Sequence, residues 1–326
     1  MRRILLMLLL LSGTSAQVWA ACTASLSNNS PSFGTSVTSF TLNSAEQPVS
    51  TNIYLDCDSA LSLLTNDYAT LTMTGASTLV ASRGAMKRTD DLTVTDSIPV
   101  KLCGVSGCSS GEVTNGGAGY TWNGTFLLTV LGSKRYTLPL FLRTVTGQSV
   151  SAGPYAGTLN LNLYYNICAV GTILTGCTQL QSGNLALNLT VSMTVTNDCT
   201  AISAPNVNFG SAPIAKAFPA ISQSISVTCT KGYAYTIGIN NGNNANGTVR
   251  QMANGSNRLS YEIYKGSTSS RWGLRGRSAG PVGRLHRSAP MARYAPITIR
   301  RRSCRIRRPH REEHTVTHYL SISLFS

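Results

Sequence analysis

The chain has 326 residues, a formal net charge of +15, and 42% hydrophobic, 7% aromatic and 12% charged residues. The charge is local: residues 1–270 hold 14 Lys and Arg against 10 Asp and Glu, whereas residues 271–326 hold 13 Arg and no Lys against 2 Glu. The body is therefore nearly neutral and rich in Thr, Ser, Asn, Leu and Val, the composition of an extracellular all-β protein, and it gives no support to a nucleic-acid or membrane-binding role for that part.

In chain order, Arg2-Arg3, the apolar run Ile4 to Leu11 and the Val18-Trp19-Ala20 site predict a signal peptide over residues 1–20, with the mature chain opening at or near Ala21. The apolar run is too short to span a bilayer, as is every later one. Trp19 and the lack of a good lipobox argue against a lipid anchor on Cys22. Export turns the cysteine count into a statement about disulfides.

Past the leader the chain repeats itself. Cys22-Thr23-Ala24 leads to Phe33-Gly34 and to an alternating segment, Val49 to Cys57; Cys199-Thr200-Ala201 leads to Phe209-Gly210 and to Ile221 to Cys229. Two copies of one half-buried strand design predict two tandem globular domains, 21–197 and 198–273, and two units are too few for a solenoid or propeller. Short alternating runs broken by Gly, Asn, Ser and Asp describe a sandwich or barrel, and no helical period is convincing. The clearest strands are Thr158 to Ile167 and Leu185 to Val195.

Eight cysteines precede residue 230, at 22, 57, 103, 108, 168, 177, 199 and 229. They allow roughly 105 pairings, but the repeat favours Cys22 with Cys57 and Cys199 with Cys229, leaving Cys103 with Cys108 and Cys168 with Cys177 to staple two loops. Zinc fits poorly: residues 1–285 contain no histidine, and the cysteine spacings do not repeat as a ligand set. The same lack of histidine excludes a Ser-His-Asp or Cys-His centre in the body. Asp56, Asp58, Asp90 and Asp91 are turn formers before they are a glycosidase pair. The chain is expected to be no enzyme and to carry no metal or cofactor.

The Cys-Thr-Ala openings, the Phe-Gly turns, the strands ending at Cys57 and Cys229, and Ala152-Gly153-Pro154-Tyr155-Ala156-Gly157-Thr158 resemble spore coat protein U domains. Two such domains in one exported chain resemble the two-domain tip adhesin of archaic, Csu-type, chaperone-usher pili. The resemblance implies immunoglobulin-like β-sandwiches, the second incomplete and finished by donor-strand complementation. It implies a periplasmic chaperone, an outer-membrane usher and an adjacent pilin that donates a strand to domain two. It also implies location at the pilus tip on the cell surface, binding to a host or abiotic surface, and biofilm formation. Because Cys22 opens the expected mature chain, no donor segment precedes it, which suits a terminal subunit. Domain one is expected to complete itself with Leu185 to Val195. The competing roles are a structural spore-coat or pilus-shaft protein and a non-functional frameshifted product.

Tip adhesins of this kind present apolar loops. Val170, Ile173 and Leu174 inside the Cys168 to Cys177 segment are the first candidates, because a staple lowers the entropy lost on binding; they could equally fold back as a lid. Leu63 and Leu64 come next, with core packing as the alternative. Tyr120 and Trp122, in a Gly-rich stretch, are aromatics suited to contact or to packing under the turn. The loop Cys103 to Cys108 lacks bulky side chains and reads as structural.

After Trp272-Gly273 the alternation stops and arginine takes over. Residues 274–326 are expected to be a frameshifted or disordered tail. Ser303 to Arg311 can be encoded so that the next frame reads Pro-Ala-Gly-Tyr-Ala-Asp-Arg-Ile, close to the Ala152 to Gly157 motif, and Cys304 would then be a lone thiol.

Overall fold

The structure is a computed structural model that describes residues 22–57, 67–123, 135–172, 176–232, 236–265, 271–273, 293–300 and 322–325. It is almost wholly β, in two hydrophobic clusters: one gathers residues between Cys22 and Val195, the other residues between Cys199 and Trp272.

The first unit contains β1 (Cys22–Leu26), β2 (Val37–Thr38), helix α1 (Ser39–Ser44), β3 (Pro48–Cys57), β4 (Tyr68–Ala76), β5 (Leu79–Val80), β6 (Arg83–Arg88), β7 (Ser97–Cys103), β8 (Tyr120–Asn123), β9 (Arg135–Thr144), β10 (Gly153–Thr172) and β11 (Gly176–Thr196). One layer runs β1-β3-β9-β7-β6 and the other places β8, β4, β10, β11 and β2 side by side. The two layers join at a corner where Tyr155 and Ala156 of β10 pair with Arg88 and Lys87 of β6. At that corner Gly157 lies so close to the Ala85 carbonyl that a Cβ would collide with it, and Gly153 sits at φ +143°. Both glycines of the Ala152 to Thr158 motif are thus there for backbone reasons. Alternation is what fills the core: Leu159, Leu161, Leu163 and Ile167 of β10 and Leu189, Val191 and Met193 of β11 all point inward and are buried. Helix α1, which the sequence pattern did not announce, is a single turn and a half; the Thr38 hydroxyl caps it by accepting from the Thr41 N–H at 3.1 Å, and Leu42 is buried.

β11 supplies the last strand of this unit. It pairs antiparallel with β10 from Gly153 opposite Val195 to Ile167 opposite Gln181, and parallel with β2 at Val37 and Thr38.

The second unit contains β12 (Cys199–Ser203), β13 (Ile221–Cys229), β14 (Thr236–Ile239), β15 (Arg250–Asn254), β16 (Asn257–Lys265), β17 (Arg293–Arg300) and β18 (Ile322–Phe325). Its main sheet runs β12-β13-β17-β16-β15, and β14 pairs antiparallel with β18. This repeats seven strands of the first unit in the same order of pairing: β12-β13-β17-β16-β15 answers β1-β3-β9-β7-β6, and β14 with β18 answers β4 with β10. The expected boundary at residue 273 is therefore corrected. Arg293–Arg300, inside the expected tail, pairs with Ile221 to Val227 on one side and Glu262 to Lys265 on the other, in the place β9 holds between β3 and β7. The Arg-Tyr start and the Ile-Thr-Ile alternation of this segment suffice for a strand between two partners, despite the surrounding arginines.

All four expected disulfides are present: Cys22–Cys57, Cys103–Cys108, Cys168–Cys177 and Cys199–Cys229. The repeated pair joins residues directly opposite one another in register, Cys22 to Cys57 across β1 and β3, and Cys199 to Cys229 across β12 and β13.

Candidate functional site

Strand register brings one set of chain ends to a single pole of the first unit. Cys22 lies opposite Cys57, Asp56 opposite Arg135, Tyr68 opposite Asn123 and Asn166, and Ile167 opposite Gln181. The link to the second unit leaves from the other end of β11, at Thr196. Residues 58–66, 124–134 and 173–175 connect strand ends at this pole and lie outside the described residues, so Leu63, Leu64, Ile173 and Leu174 fall there. Val170 is placed in the backbone of β10 opposite Gln179, at a shift in register.

The β10–β11 hairpin continues as strand into the stapled segment, so the loop closed by Cys168 and Cys177 is the tip of a long ladder. Sequence reasoning missed Leu180. It follows the staple on β11, lies opposite Cys168 and is 55% exposed. The cue was available: Thr178-Gln179-Leu180-Gln181 keeps one apolar residue on the face that is otherwise polar.

Trp122 is corrected as a surface contact. It is 1% exposed, because β8 adds to β4 opposite Ala69 and turns the indole into the core. Tyr120 stacks edge-on against it, with ring centroids 5.0 Å apart, and is half-buried. The Tyr120 ring occupies the space a Cβ would need at both Gly104 and Gly111. The Cys103–Cys108 staple therefore holds Gly104 as a seat for that ring, where no larger residue would fit.

Polar groups hold the pole together. Arg135 forms a two-pronged ion pair with Asp56 at 2.6 and 3.0 Å, and its guanidinium lies 4.6 Å from the Tyr54 ring centroid. Asp67 is buried and accepts the Cys168 N–H at 2.9 Å, which ties the start of β4 to the staple. Its other oxygen has no hydrogen-bond partner among the described residues, nor has the buried hydroxyl of Tyr136 or the indole N–H of Trp122. Burial pushes the Asp67 carboxyl above its ordinary value, against the pull of the Cys168 N–H. Burial, then the nearby Asp67 charge, pushes the Tyr136 hydroxyl up to about 12. Of the other aspartates weighed as catalytic, Asp90 pairs with Arg88 and Asp91 caps the turn at Thr93.

The second unit offers a different feature. In the first unit Phe33 is 7% exposed, and its N–H donates to the Ser192 carbonyl of β11 at 2.9 Å. Its counterpart Phe209 is half-buried and lines a cavity of about 170 Å³ together with Phe218, Met252 and Leu259. Among the described residues no strand lies beside β18 as β11 lies beside β10.

The sequence profile of the Spore Coat Protein U domain family matches residues 8–162 and 185–301. The fold is similar to the crystal structure of the CsuC–CsuE chaperone-tip adhesion subunit pre-assembly complex from archaic chaperone-usher Csu pili of Acinetobacter baumannii, with 20% identity, a TM-score of 0.55, and coverage of 93% of this chain and 99% of that one. AggA, the major subunit of aggregative adherence fimbriae type I of Escherichia coli, aligns at 13% identity over 55% of this chain and 98% of its own, with a TM-score of 0.28. CfaE, the adhesive subunit of CFA/I fimbria of enterotoxigenic Escherichia coli, aligns at 13% identity over 50% and 46%, with a TM-score of 0.27. No curated protein sequence matches the chain.

Proposed function

Because the chain belongs to the Spore Coat Protein U domain family, we propose that it is an exported, non-enzymatic pilus subunit of the adhesive kind, carried at the fibre tip and contacting surfaces through the free pole of its first unit. The observation that carries this reading is the unequal completion of two matching units. In the first, β11 covers the edge of β10 and closes over Phe33. In the second, the described residues hold no counterpart of β11, and Phe209 borders a cavity. A unit with an open final edge suits strand addition by a chaperone during export and by an adjacent pilin afterwards, with an usher as the assembly site. A unit that is already complete has no such need and is free to present its loops.

The resemblance in fold to a chaperone-bound tip subunit supports the same assignment. Adhesion to a host or abiotic surface and biofilm formation follow from the apolar candidates at the pole, Val170, Ile173 and Leu174, joined by Leu180.

The test is addition of a synthetic peptide with alternating apolar residues to the purified full chain. A saturable rise in the melting temperature of the second unit, with the first unit unmoved, is expected. A peptide that shifts neither transition would sink the strand-acceptor reading.

A further inference from the structure

β11 has two edges, and part of the second is unused. Between Thr190 and Thr194 its outward groups are taken by the segment that follows β1: Thr190 N–H donates to Asn29 O at 2.9 Å, Ser192 N–H to Pro31 O at 3.2 Å and Thr194 N–H to Gly34 O at 2.9 Å. The outward groups thus belong to even-numbered residues. Register with β10 is unbroken down to Gln181, so the same parity carries to Ser182, Asn184, Ala186 and Asn188. All four residues are exposed; β1 lies beside this part of β11, with Cys22 Sγ 3.7 Å from Gln181 Oε1, but among the described residues no strand pairs with the edge of β11 that faces away from β10.

Exposed edges are usually guarded by Lys, Pro, a bulge or an inward charge. β11 has none of these guards here: Gly176–Thr196 contains no charged residue and no proline, and its register is free of bulges over this span. The bare edge from Ser182 to Asn188 is roughly 20 Å long at about 3.3 Å per residue.

We propose that this edge pairs with the same edge of a second copy of the chain, antiparallel about a two-fold axis, so that two β8-β4-β10-β11 layers become one continuous sheet. Three features select a second copy as the occupant. The strand is neutral, so two copies meet without like-charge repulsion. Its outward rungs carry Ser, Asn, Ala and Asn, which are small or amide-bearing and stack across a junction without a clash. The amide arrangement already works within one copy, where Asn162 Nδ2 donates to Asn184 Oδ1 at 2.8 Å. Pairing over one short edge covers less area than a stable dimer needs, so the association is weak and concentration-dependent. It does not depend on what the free pole binds.

Sedimentation velocity of the full exported chain over a range on the order of 1–100 µM, the regime of small interfaces, tests this. Ala186→Pro deletes an outward N–H while leaving the β10–β11 ladder intact, and Ala186→Lys adds a guarding charge without touching the backbone. A dimer that grows with concentration in the wild type and is lost in both variants, with circular dichroism and first-unit melting unchanged, is the expected result. A wild type that stays monomeric, or self-association that survives both substitutions, overturns the proposal; the second outcome would assign the contact to the open edge of the second unit.

Discussion

The Asp96 carboxylate and the Lys231 ammonium meet at 2.5 Å across the joint between the two units. Asp96 also accepts the N–H and the hydroxyl of Ser151, both at 2.9 Å, and Ser151 bridges to Lys231 through the backbone. Burial alone would raise the Asp96 carboxyl, but Lys231 and the two Ser151 donors outweigh it and hold the group below its ordinary value of 3.8. A depressed carboxylate stabilises the fold at neutral pH, and this contribution disappears as pH falls through the lowered folded-state value. Asp96→Asn should lower stability by about 1–3 kcal/mol at neutral pH, and the gap to the wild type should narrow in acid. Lys231→Met, which removes a partly exposed partner, should cost no more than about 1 kcal/mol. Thermal unfolding of the three proteins across pH checks both, and a gap independent of pH counts against the linkage.

Arg250 is the fixed point of the second unit. Its guanidinium is fully buried, pairs with Glu262 at 2.6 Å and donates to the carbonyls of Asn240, Ile239 and Trp272. Arg250→Met leaves three buried carbonyls without their donor and takes from Glu262 one of its two arginine partners, Arg271 remaining at 2.7 Å, with an expected loss of about 3–5 kcal/mol. In calorimetry the second unit should melt first while the first keeps its transition.

Asp67 gives an opposite pH response to Asp96. Its carboxyl is raised by burial, so the folded state holds the proton more tightly than the unfolded chain. That contribution is complete below the ordinary value of 3.8 and is lost as pH rises through the raised folded value. Asp67→Asn, which still offers an oxygen to the Cys168 N–H, should therefore gain stability relative to the wild type at neutral pH. Equal melting temperatures at neutral pH would show that the charge is not under strain there.

At the hairpin tip, Cys168→Ser with Cys177→Ser removes a short cross-link worth about 3 kcal/mol in the chain-entropy picture. Leu180→Ser removes an exposed apolar contact and should leave melting unchanged. Both should reduce attachment to surfaces in a cell-based assay, the first through loss of order and the second through loss of apolar area. Full attachment by Leu180→Ser would take that residue out of the contact surface.

Sequencing of codons 268 to 310, with the intact mass of the exported chain, examines the basic segment. Since Arg293–Arg300 holds the place of β9 and the family match runs to residue 301, a single change of reading frame is expected beyond residue 301, because one in 274–292 would carry that strand out of frame with it. One uninterrupted, codon-consistent frame throughout would remove the frameshift reading.

Alternation made the longest strands and the core face of β10 and β11 readable, since period two is a strong signal wherever one face is buried. The repeat made two disulfide pairs readable, since in both copies one cysteine opens a strand and its partner closes the strand beside it, and the two remaining pairs followed from closeness in the chain. Trp122 was ambiguous because a Gly-rich flank suits a surface loop and a packed turn alike, and only the pairing of β8 with β4 decides between them. β17 was hidden by composition, as eight residues with an arginine at each end show their strand character only beside β13 and β16. Helix α1 is too short for any period to appear, and Leu180 is one apolar residue in a polar run.

The length of β10 and β11 also has a mechanical meaning. A pull that enters at the stapled tip and leaves through Thr196 runs along the axis of β11, across a ladder whose hydrogen bonds stand perpendicular to the load. The covalent backbone of this already extended strand carries such a tension from end to end, so the ladder is not opened from one end and peeled rung by rung. The first unit is thus built to stay folded when drag acts between its free pole and its neighbour.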